Sequence, residues 1–247
     1  NTTASNKVAV GADALGANTT GHSNTAVGHS SLGASSTGLY LTAVGLGALA
    51  SNTTANNSTA VGRNALTLNT TGAHNTAVGM NSLDANTTGA NNSGVGLDAL
   101  GANTTGESNS ALGSGALDAN TTASHNTAVG KDSLGVNTTG SQLVALGSRA
   151  LESNTTASNN VSIGYSAVRE NTTGTQNVGI GTDALKLNTT ASNNTACGYL
   201  ALGANTTASQ NTAFGAFAMD VTTEGANNTA VGTNALGDTT TGANNTA

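Results

Sequence analysis

Four histidines and one cysteine are the residues best suited to metal or nucleophilic chemistry. The histidines are His22, His29, His74 and His125, and the cysteine is Cys197. No two histidines have the HxH or HExxH spacing of a zinc site, so we predict that all four lie in surface loops. One cysteine cannot form an intramolecular disulfide. Because Cys197 replaces a valine in an apolar column of the repeat described below, we expect a buried, unreactive thiol.

Carboxylates and glycines show no catalytic pattern either. Four aspartates, Asp13, Asp98, Asp132 and Asp183, occupy the same position in repeats that lie too far apart for the side chains to pair. The G-G-x-G-x-D pattern of calcium-binding β-rolls is absent, and so are a nucleophile–base pair and a phosphate-binding glycine loop. A carbohydrate-processing enzyme would need clustered carboxylates and aromatic platforms. We therefore predict no enzymatic activity, no metal site and no cofactor.

The elements that position these residues come from a strict 17-residue repeat. A glycine recurs at 11, 28, 45, 62, 79, 96, 113, 130, 147, 164, 181, 198, 215 and 232. The consensus is N-T-A-V-G-x-x-A-L-x-x-N-T-T-G/A-x-x. Short β-branched segments bounded by Gly, Asn and Ser are typical of strands and turns. The pattern predicts an all-β parallel β-solenoid of about 14 coils, with two short strands per coil and a φ > 0 corner or a close backbone approach at each glycine.

Two columns of the repeat are predicted to form the core. The residue before the fixed glycine is always apolar, and a leucine stands four residues after it in nearly every copy. Alternation along T-A-V places Thr and Val on one face and Ala on the other. We assign Thr, Val and Leu to the interior, so the predicted core ladder is Val27, Leu32, Val61, Leu66, Val78, Leu83, Val129 and Leu134.

The position between Thr and Val holds only Ala, Gly or Ser, and it has two interpretations. Small outward residues would allow another chain to approach closely, which predicts an interface at Ala26, Ala60, Ala77 and Ala128. Alternatively, the coil is narrow and this residue lies inside it. Among the variable turn positions, Tyr165 and Tyr199 are apolar residues that could form a lateral contact between protomers, although scattered surface apolar residues are common.

The N-T-T segments are predicted to place asparagines in a stacked amide ladder at a turn, including Asn69, Asn86, Asn103, Asn120 and Asn137. The same segments are N-glycosylation sequons in a secreted protein. They begin at Asn1, Asn18, Asn52, Asn69, Asn86, Asn103, Asn120, Asn137, Asn154, Asn171, Asn188 and Asn205. An inward ladder would prevent glycosylation, whereas an outward one would allow sparse glycans.

The amino-acid composition restricts the kinds of partner that the chain is expected to bind. The formal net charge is −6 over 247 residues, with only six Lys and Arg, so a phosphate-binding surface is not expected and we predict no binding to nucleic acid. No apolar run approaches the length of about 20 residues that spans a bilayer. The array begins and ends within a repeat, and we interpret residues 1–247 as a single repeat array, without caps, from a longer one.

The motif N-T-A-V-G-x-x-A-L resembles the N-S-V-A-I-G-x-x-A repeat of the YadA-like head of trimeric autotransporter adhesins, and it is similar to 17-residue N-T-A-V-G arrays of surface proteins and phage tail fibres. The resemblance covers every copy. It implies a left-handed parallel β-roll with two strands per coil and a trimeric assembly. The repeat here is longer than the usual coil of that family.

These observations predict a structural or adhesive extracellular component at a cell surface or in a virion fibre, without catalytic activity. We expect it to self-associate into a trimer or filament and to contact a host or surface ligand through its variable turns. The alternative function is ice binding by stacked threonines such as Thr87–Thr88 and Thr104–Thr105, although adjacent strand residues point to opposite faces.

Overall fold

The structure is a computed structural model that describes residues 4–247, and the chain divides into two compact units, with the boundary between His125 and Asn126. Each unit is an all-β parallel solenoid with a 17-residue period. No helix occurs among the described residues. The predicted fold class, an all-β parallel β-solenoid of 17-residue coils, is therefore confirmed.

The first unit contains seven strands of three residues each. They are β1 Val8–Val10, β2 Thr25–Val27, β3 Thr42–Val44, β4 Thr59–Val61, β5 Thr76–Val78, β6 Ser93–Val95 and β7 Ser110–Leu112. Neighbours along the chain pair in parallel, and the register puts equivalent residues side by side, as with Ala60 and Ala77. Because every copy has the same length, no strand slips against the next.

The second unit repeats this arrangement. Its strands are β8 Thr127–Val129, β9 Val144–Leu146, β10 Val161–Ile163, β11 Val178–Ile180, β12 Thr195–Cys197, β13 Thr212–Phe214 and β14 Thr229–Val231. All pairs within this unit are parallel and in register. At a strand spacing of about 4.8 Å, seven strands extend for about 29 Å in either unit.

The fixed glycine ends each strand, and glycine is required there for two reasons. Gly79 has φ of 135°, a conformation that L side chains rarely adopt. A Cβ added at Gly79 would also lie 2.3 Å from the carbonyl oxygen of Gly96 in the next coil. Both features that the sequence suggested, a positive φ and a close backbone approach, therefore occur at the same residue.

The structure has one strand per coil, so the predicted second strand is wrong. The A-L segment forms a turn in which the leucine has a positive φ, for example 53° at Leu83 and 52° at Leu66. Left-handed backbone costs a non-glycine residue about 1–2 kcal/mol. Full burial of a leucine contributes about 1.5–3 kcal/mol, which offsets that cost. Leu32, Leu66, Leu83 and Leu134 are all completely buried, in the core positions expected for them.

The valines predicted for the core lie on the outside instead, and this is a correction. Val61 and Val78 are 36% and 37% exposed, and Val27 and Val129 are half-buried. The predicted interface alanines, Ala26, Ala60, Ala77 and Ala128, are 0% exposed and form the inner column, as the narrow-coil interpretation required. At Gly179, which takes the alanine's place in one coil, a Cβ would lie 2.4 Å from Cγ2 of Val168. The interior therefore has no room for a valine here.

Candidate functional site

The asparagines of the N-T-T segments form an inward amide ladder. Asn86 Nδ2 donates to Asn69 Oδ1 at 2.8 Å and to the carbonyl oxygen of Gly89 at 3.0 Å, and Asn103 Nδ2 donates in turn to Asn86 Oδ1 at 2.8 Å. The ladder continues in the first unit, where Asn69 Nδ2 donates to Asn52 Oδ1 at 3.2 Å and Asn120 Nδ2 donates to Asn103 Oδ1 at 2.8 Å. Each amide therefore closes its own turn and links it to the neighbouring coil.

The ladder is repeated in the second unit. Asn137 Nδ2 donates to the carbonyl oxygen of Gly140 at 2.9 Å, and Asn137 Oδ1 accepts from Asn154 Nδ2 at 2.9 Å. All five predicted ladder residues are 0% exposed. In both units the amides replace water as partners of buried backbone carbonyls, which would be costly to leave unpaired.

Burial of these amides removes the N-T-T sequons as glycan acceptors in the folded chain. The described sequon asparagines are at most 2% exposed: Asn18, Asn52, Asn69, Asn86, Asn103, Asn120, Asn137, Asn154, Asn171, Asn188 and Asn205. Asn1 lies outside the described residues. A glycan on any of the buried amides would break its ladder contacts.

A second asparagine ladder, which we did not predict, lies just before most of the strands. Asn75 Nδ2 donates to the carbonyl oxygen of Gly89 at 2.7 Å, and Asn75 Oδ1 accepts from the backbone N–H of Asn92 at 2.9 Å. Asn177 and Asn194 are arranged in the same way in the second unit, with a 3.0 Å bond from the Asn194 N–H to Asn177 Oδ1. The signal was present in the sequence, because this column is Asn in most copies.

The two threonines of each N-T-T segment differ in their contacts. The first, as in Thr70 and Thr87, is half-buried, and its hydroxyl donates to the carbonyl oxygen of the equivalent residue in the next coil at 3.0–3.1 Å. The second, as in Thr71 and Thr88, is exposed, and its hydroxyl makes no hydrogen bond to the described residues. The pair therefore offers one free hydroxyl per coil.

The outer face of each sheet carries the first and third residues of every strand. In the first unit these are Thr or Ser beside Val in most strands, and Val10 and Leu112 are 55% and 52% exposed. In the second unit three neighbouring strands carry aliphatic residues at both positions. We call these the aliphatic patch: Val144, Leu146, Val161, Ile163, Val178 and Ile180. No charged side chain interrupts the patch.

Cys197 belongs to this outer face, so the expectation of a buried thiol is wrong. It is the last residue of β12 and is only partly buried. Its strand neighbours are Ile180 and Phe214, and Phe214 is 55% exposed. The reason is the one that moves the valines outward, since Cys197 occupies the same column.

The two tyrosines proposed as contact residues lie on a different surface, formed by the variable turns. Tyr165 and Tyr199 are 51% and 48% exposed. The ring of Tyr199 packs edge-on against Phe217, with ring centroids 5.2 Å apart. Nearby, Gly203 leaves a shallow, open cavity between Lys186 and Asp220, and Leu187, Leu200 and Ala204 complete its lining.

Charged residues in the turns form local pairs. Arg169 Nε donates to Glu170 Oε1 at 2.7 Å, and this hydrogen bond is the main cause that raises the pKa of Arg169 above its ordinary value. Lys186 Nζ lies 3.2 Å from Asp183 Oδ1. In the first unit, burial is the main cause that raises the pKa of Asp84, and the charge of Asp98 adds to it.

The residues considered for metal chemistry are dispersed in the turns. His29, His74 and His125 are exposed, and His22 packs edge-on against Tyr40. Asp13, Asp98, Asp132 and Asp183 share a turn position with φ of 54–57°. Within residues 4–247 no three His, Cys, Asp or Glu residues are close enough to hold a metal ion. The described part of the chain also has no helix long and apolar enough to cross a membrane.

No protein-family model matches the chain, and no curated protein matches its sequence.

Proposed function

We propose that this chain is a structural or adhesive component of an extracellular fibre, at a cell surface or in a virion, and that it self-associates as a trimer or filament. The observation that carries the proposal is the exposed outer face of the sheet, with an apolar side chain at the last position of every strand. Large exposed apolar surfaces on soluble proteins are typical of interaction sites.

The coil architecture supports a mechanical role. Each coil contacts its neighbours through backbone ladders, and most coils add two buried asparagine ladders, so most coils of a unit contribute a similar set of bonds. Extra coils lengthen such an array without changing its cross-section. The buried amides, with few free polar groups inside, suit a protein that must persist outside the cell.

The aliphatic patch is the part of the outer face best suited to association. Ile163 stands at its centre, flanked by Leu146 and Ile180 in the neighbouring strands. Two sheets pack face to face about 10 Å apart, and a second copy has the same strand spacing, so side chains from successive coils can interdigitate. Neither face carries a charge that would need desolvation, which favours contact between identical patches.

The resemblance to YadA-like heads supports the trimer, and the exposed turns would then face outward to a host or surface ligand. Tyr165 and Tyr199 remain candidates for that outward contact or for a lateral one between fibres. The alanines Ala26, Ala60, Ala77 and Ala128 are excluded from the interface because they are buried within the coil.

Sedimentation equilibrium tests self-association. The wild-type chain is expected to give a mass that is a multiple of 23.7 kDa, and Ile163→Lys is expected to give the mass of one chain because a buried lysine cannot be paired in the apolar patch. Thr182→Lys is the matched control, since Thr182 is exposed in the turn column of the same unit. A trimer gives a fixed mass, whereas a filament grows with concentration.

A wild-type chain that sediments as a monomer at all accessible concentrations would contradict self-association. If Thr182→Lys dissociates the assembly as fully as Ile163→Lys, the contact is not the aliphatic patch. Circular dichroism of each variant verifies that the coils remain folded.

A further inference from the structure

An exposed column of threonines runs through the coils on a surface distinct from the sheet face. We call it the outer threonine column. In the first unit it comprises Thr20, Thr37, Thr54, Thr71, Thr88, Thr105 and Thr122, and in the second Thr139, Thr156, Thr173, Thr190 and Thr207, before Glu224 replaces it. Every one of these threonines is exposed. Within each unit, successive members are one coil apart, at a spacing of about 4.8 Å.

Hydrogen bonds within the coil do not explain why threonine recurs so regularly in this column. The neighbouring inner threonines are fixed by a hydroxyl bond to the next coil, as Thr53 bonds to the carbonyl oxygen of Thr70 at 3.1 Å. Hydroxyls of the outer column, such as that of Thr71, make no such bond in the described chain. Their hydrogen-bonding capacity is directed entirely to solvent.

Other exposed columns of the same coils vary freely, so close similarity between repeats is not the reason. The position after the fixed glycine reads Ala, His, Leu, Arg, Met, Leu and Ser in the seven coils of the first unit. The outer threonine column does not change once in those coils. An exposed, unbonded and unvarying hydroxyl is the arrangement that a partner with the same repeat outside the chain would require.

The surroundings of the column define the chemistry of that partner. On one side stands the inner Thr or Ser, and on the other a buried Gly or Ala, so the strip itself is uncharged in the first unit. The column beyond the Gly or Ala carries one acidic residue in that unit, Glu107. Gly72 and Gly89 carry no side chain that could rise above the threonines. The strip therefore presents rows of methyl groups and hydroxyls. Its backbone is held firmly: the carbonyl oxygen of Thr70, for example, accepts hydrogen bonds from Thr53 N, Thr53 Oγ1 and Thr54 N.

We infer that the outer threonine column of the first unit binds ice. Rows of oxygen atoms on the surface of hexagonal ice repeat at nearly the same interval as stacked β-strands, and an ice surface is uncharged and both donates and accepts hydrogen bonds. The threonine column matches the ice surface in repeat distance, lack of charge and hydrogen bonding. The hydroxyls join the water lattice, and the methyl groups order the water beside them. This function is additional to self-association through the sheet face, and it uses different residues.

Thermal hysteresis and ice-crystal shape, measured on the full chain, test the inference. The wild type is expected to shape ice into faceted crystals and to lower the temperature at which they grow. The double variant Thr71→Lys/Thr88→Lys is expected to lose both effects, because two long charged side chains hold the strip away from the lattice. The matched control, Met80→Lys/Leu97→Lys, adds the same charge to an exposed column of adjacent coils and is expected to retain both.

Thr71→Val/Thr88→Val keeps the shape and the methyl groups and removes only the hydroxyls, so it is expected to fold normally and to lose part of the hysteresis. Absence of hysteresis and faceting in the folded wild type would overturn the inference. So would equal activity of the two lysine double variants. If Thr71→Lys/Thr88→Lys instead changes the sedimentation mass, the partner of the column is a second copy and not ice, which leaves self-association standing and removes ice binding.

Discussion

Replacing Asn86 by alanine should weaken the coil measurably, because this side chain makes three hydrogen bonds and is completely buried. Alanine would leave Asn69 Oδ1 without its donor, and Asn103 Nδ2 would keep only its bond to the carbonyl oxygen of Gly106. The carbonyl oxygen of Gly89 would still accept from Asn75 Nδ2. The loss is therefore concentrated in the ladder and not in the turn that Asn86 closes.

At a net 0.5–1.5 kcal/mol for each hydrogen bond, the three bonds amount to about 3 kcal/mol. Thr88→Ala in the same coil is the control. Its side chain is exposed and unbonded, so its free energy of unfolding should change by less than about 0.5 kcal/mol.

Urea denaturation followed by circular dichroism measures both variants. The denaturation midpoint of Asn86→Ala is expected to fall well below that of Thr88→Ala, with the slope unchanged. Equal midpoints for the two variants would refute the claim that the buried amide ladder holds successive coils together.

Three further predictions follow from single sites. Thr222 replaces an asparagine, which leaves the buried Asn205 Oδ1 without a donor; Thr222→Asn restores it and should raise the free energy of unfolding by about 1 kcal/mol. Burial raises the pKa of Asp84, so its protonated form is favoured by folding and its contribution to stability is lost as pH rises through the folded pKa. Asp84→Asn should therefore raise the melting temperature at neutral pH and not at a pH below the carboxyl pKa; a gain at both would exclude this cause. Tyr165→Ser/Tyr199→Ser should abolish lateral bundling in electron micrographs if the turns mediate it, and unchanged bundles would remove both residues from that role.

The repeat predicted the coil because the residues that a coil requires, such as glycine at its corner and leucine in its core, recur at fixed positions in nearly every copy. A glycine every 17 residues allows one backbone conformation that other residues avoid, and Gly79 adopts it while touching the next coil. The leucine column is apolar in every copy, and Leu32 and Leu83 are buried accordingly. The N-T-T asparagine ladder also followed from turn chemistry, since asparagine amides bond to nearby backbone.

Alternation alone could not predict which face of the strand points into the coil. Alternation in T-A-V places Ala77 opposite Thr76 and Val78, but either side can face inward. The apolar character of valine favoured placing it inside, whereas the narrow coil has room there only for a residue as small as alanine. The buried leucine column limits the width of the coil, since a Cβ added at Gly179 would lie 2.4 Å from Cγ2 of Val168, which occupies the leucine position. The absence of any residue larger than alanine or serine between Thr and Val was the signal for this constraint.

The predicted second strand failed for a related reason. Leucine with a positive φ is rare, so the sequence favoured an extended A-L segment. The coil requires a turn there, and the burial of Leu83 supports the unfavourable backbone. The outer threonine column was visible in the sequence, but its lack of internal bonds could be seen only in the structure.

The reactivity of Cys197 tests the outward orientation of the sheet face most directly, because this single thiol lies in the outer column of β12. Native thiol titration of the Ile163→Lys variant is expected to modify Cys197 completely without denaturant, and the associated wild type should react more slowly. A thiol in the variant that reacts only after unfolding would place the column inside the coil and contradict the account.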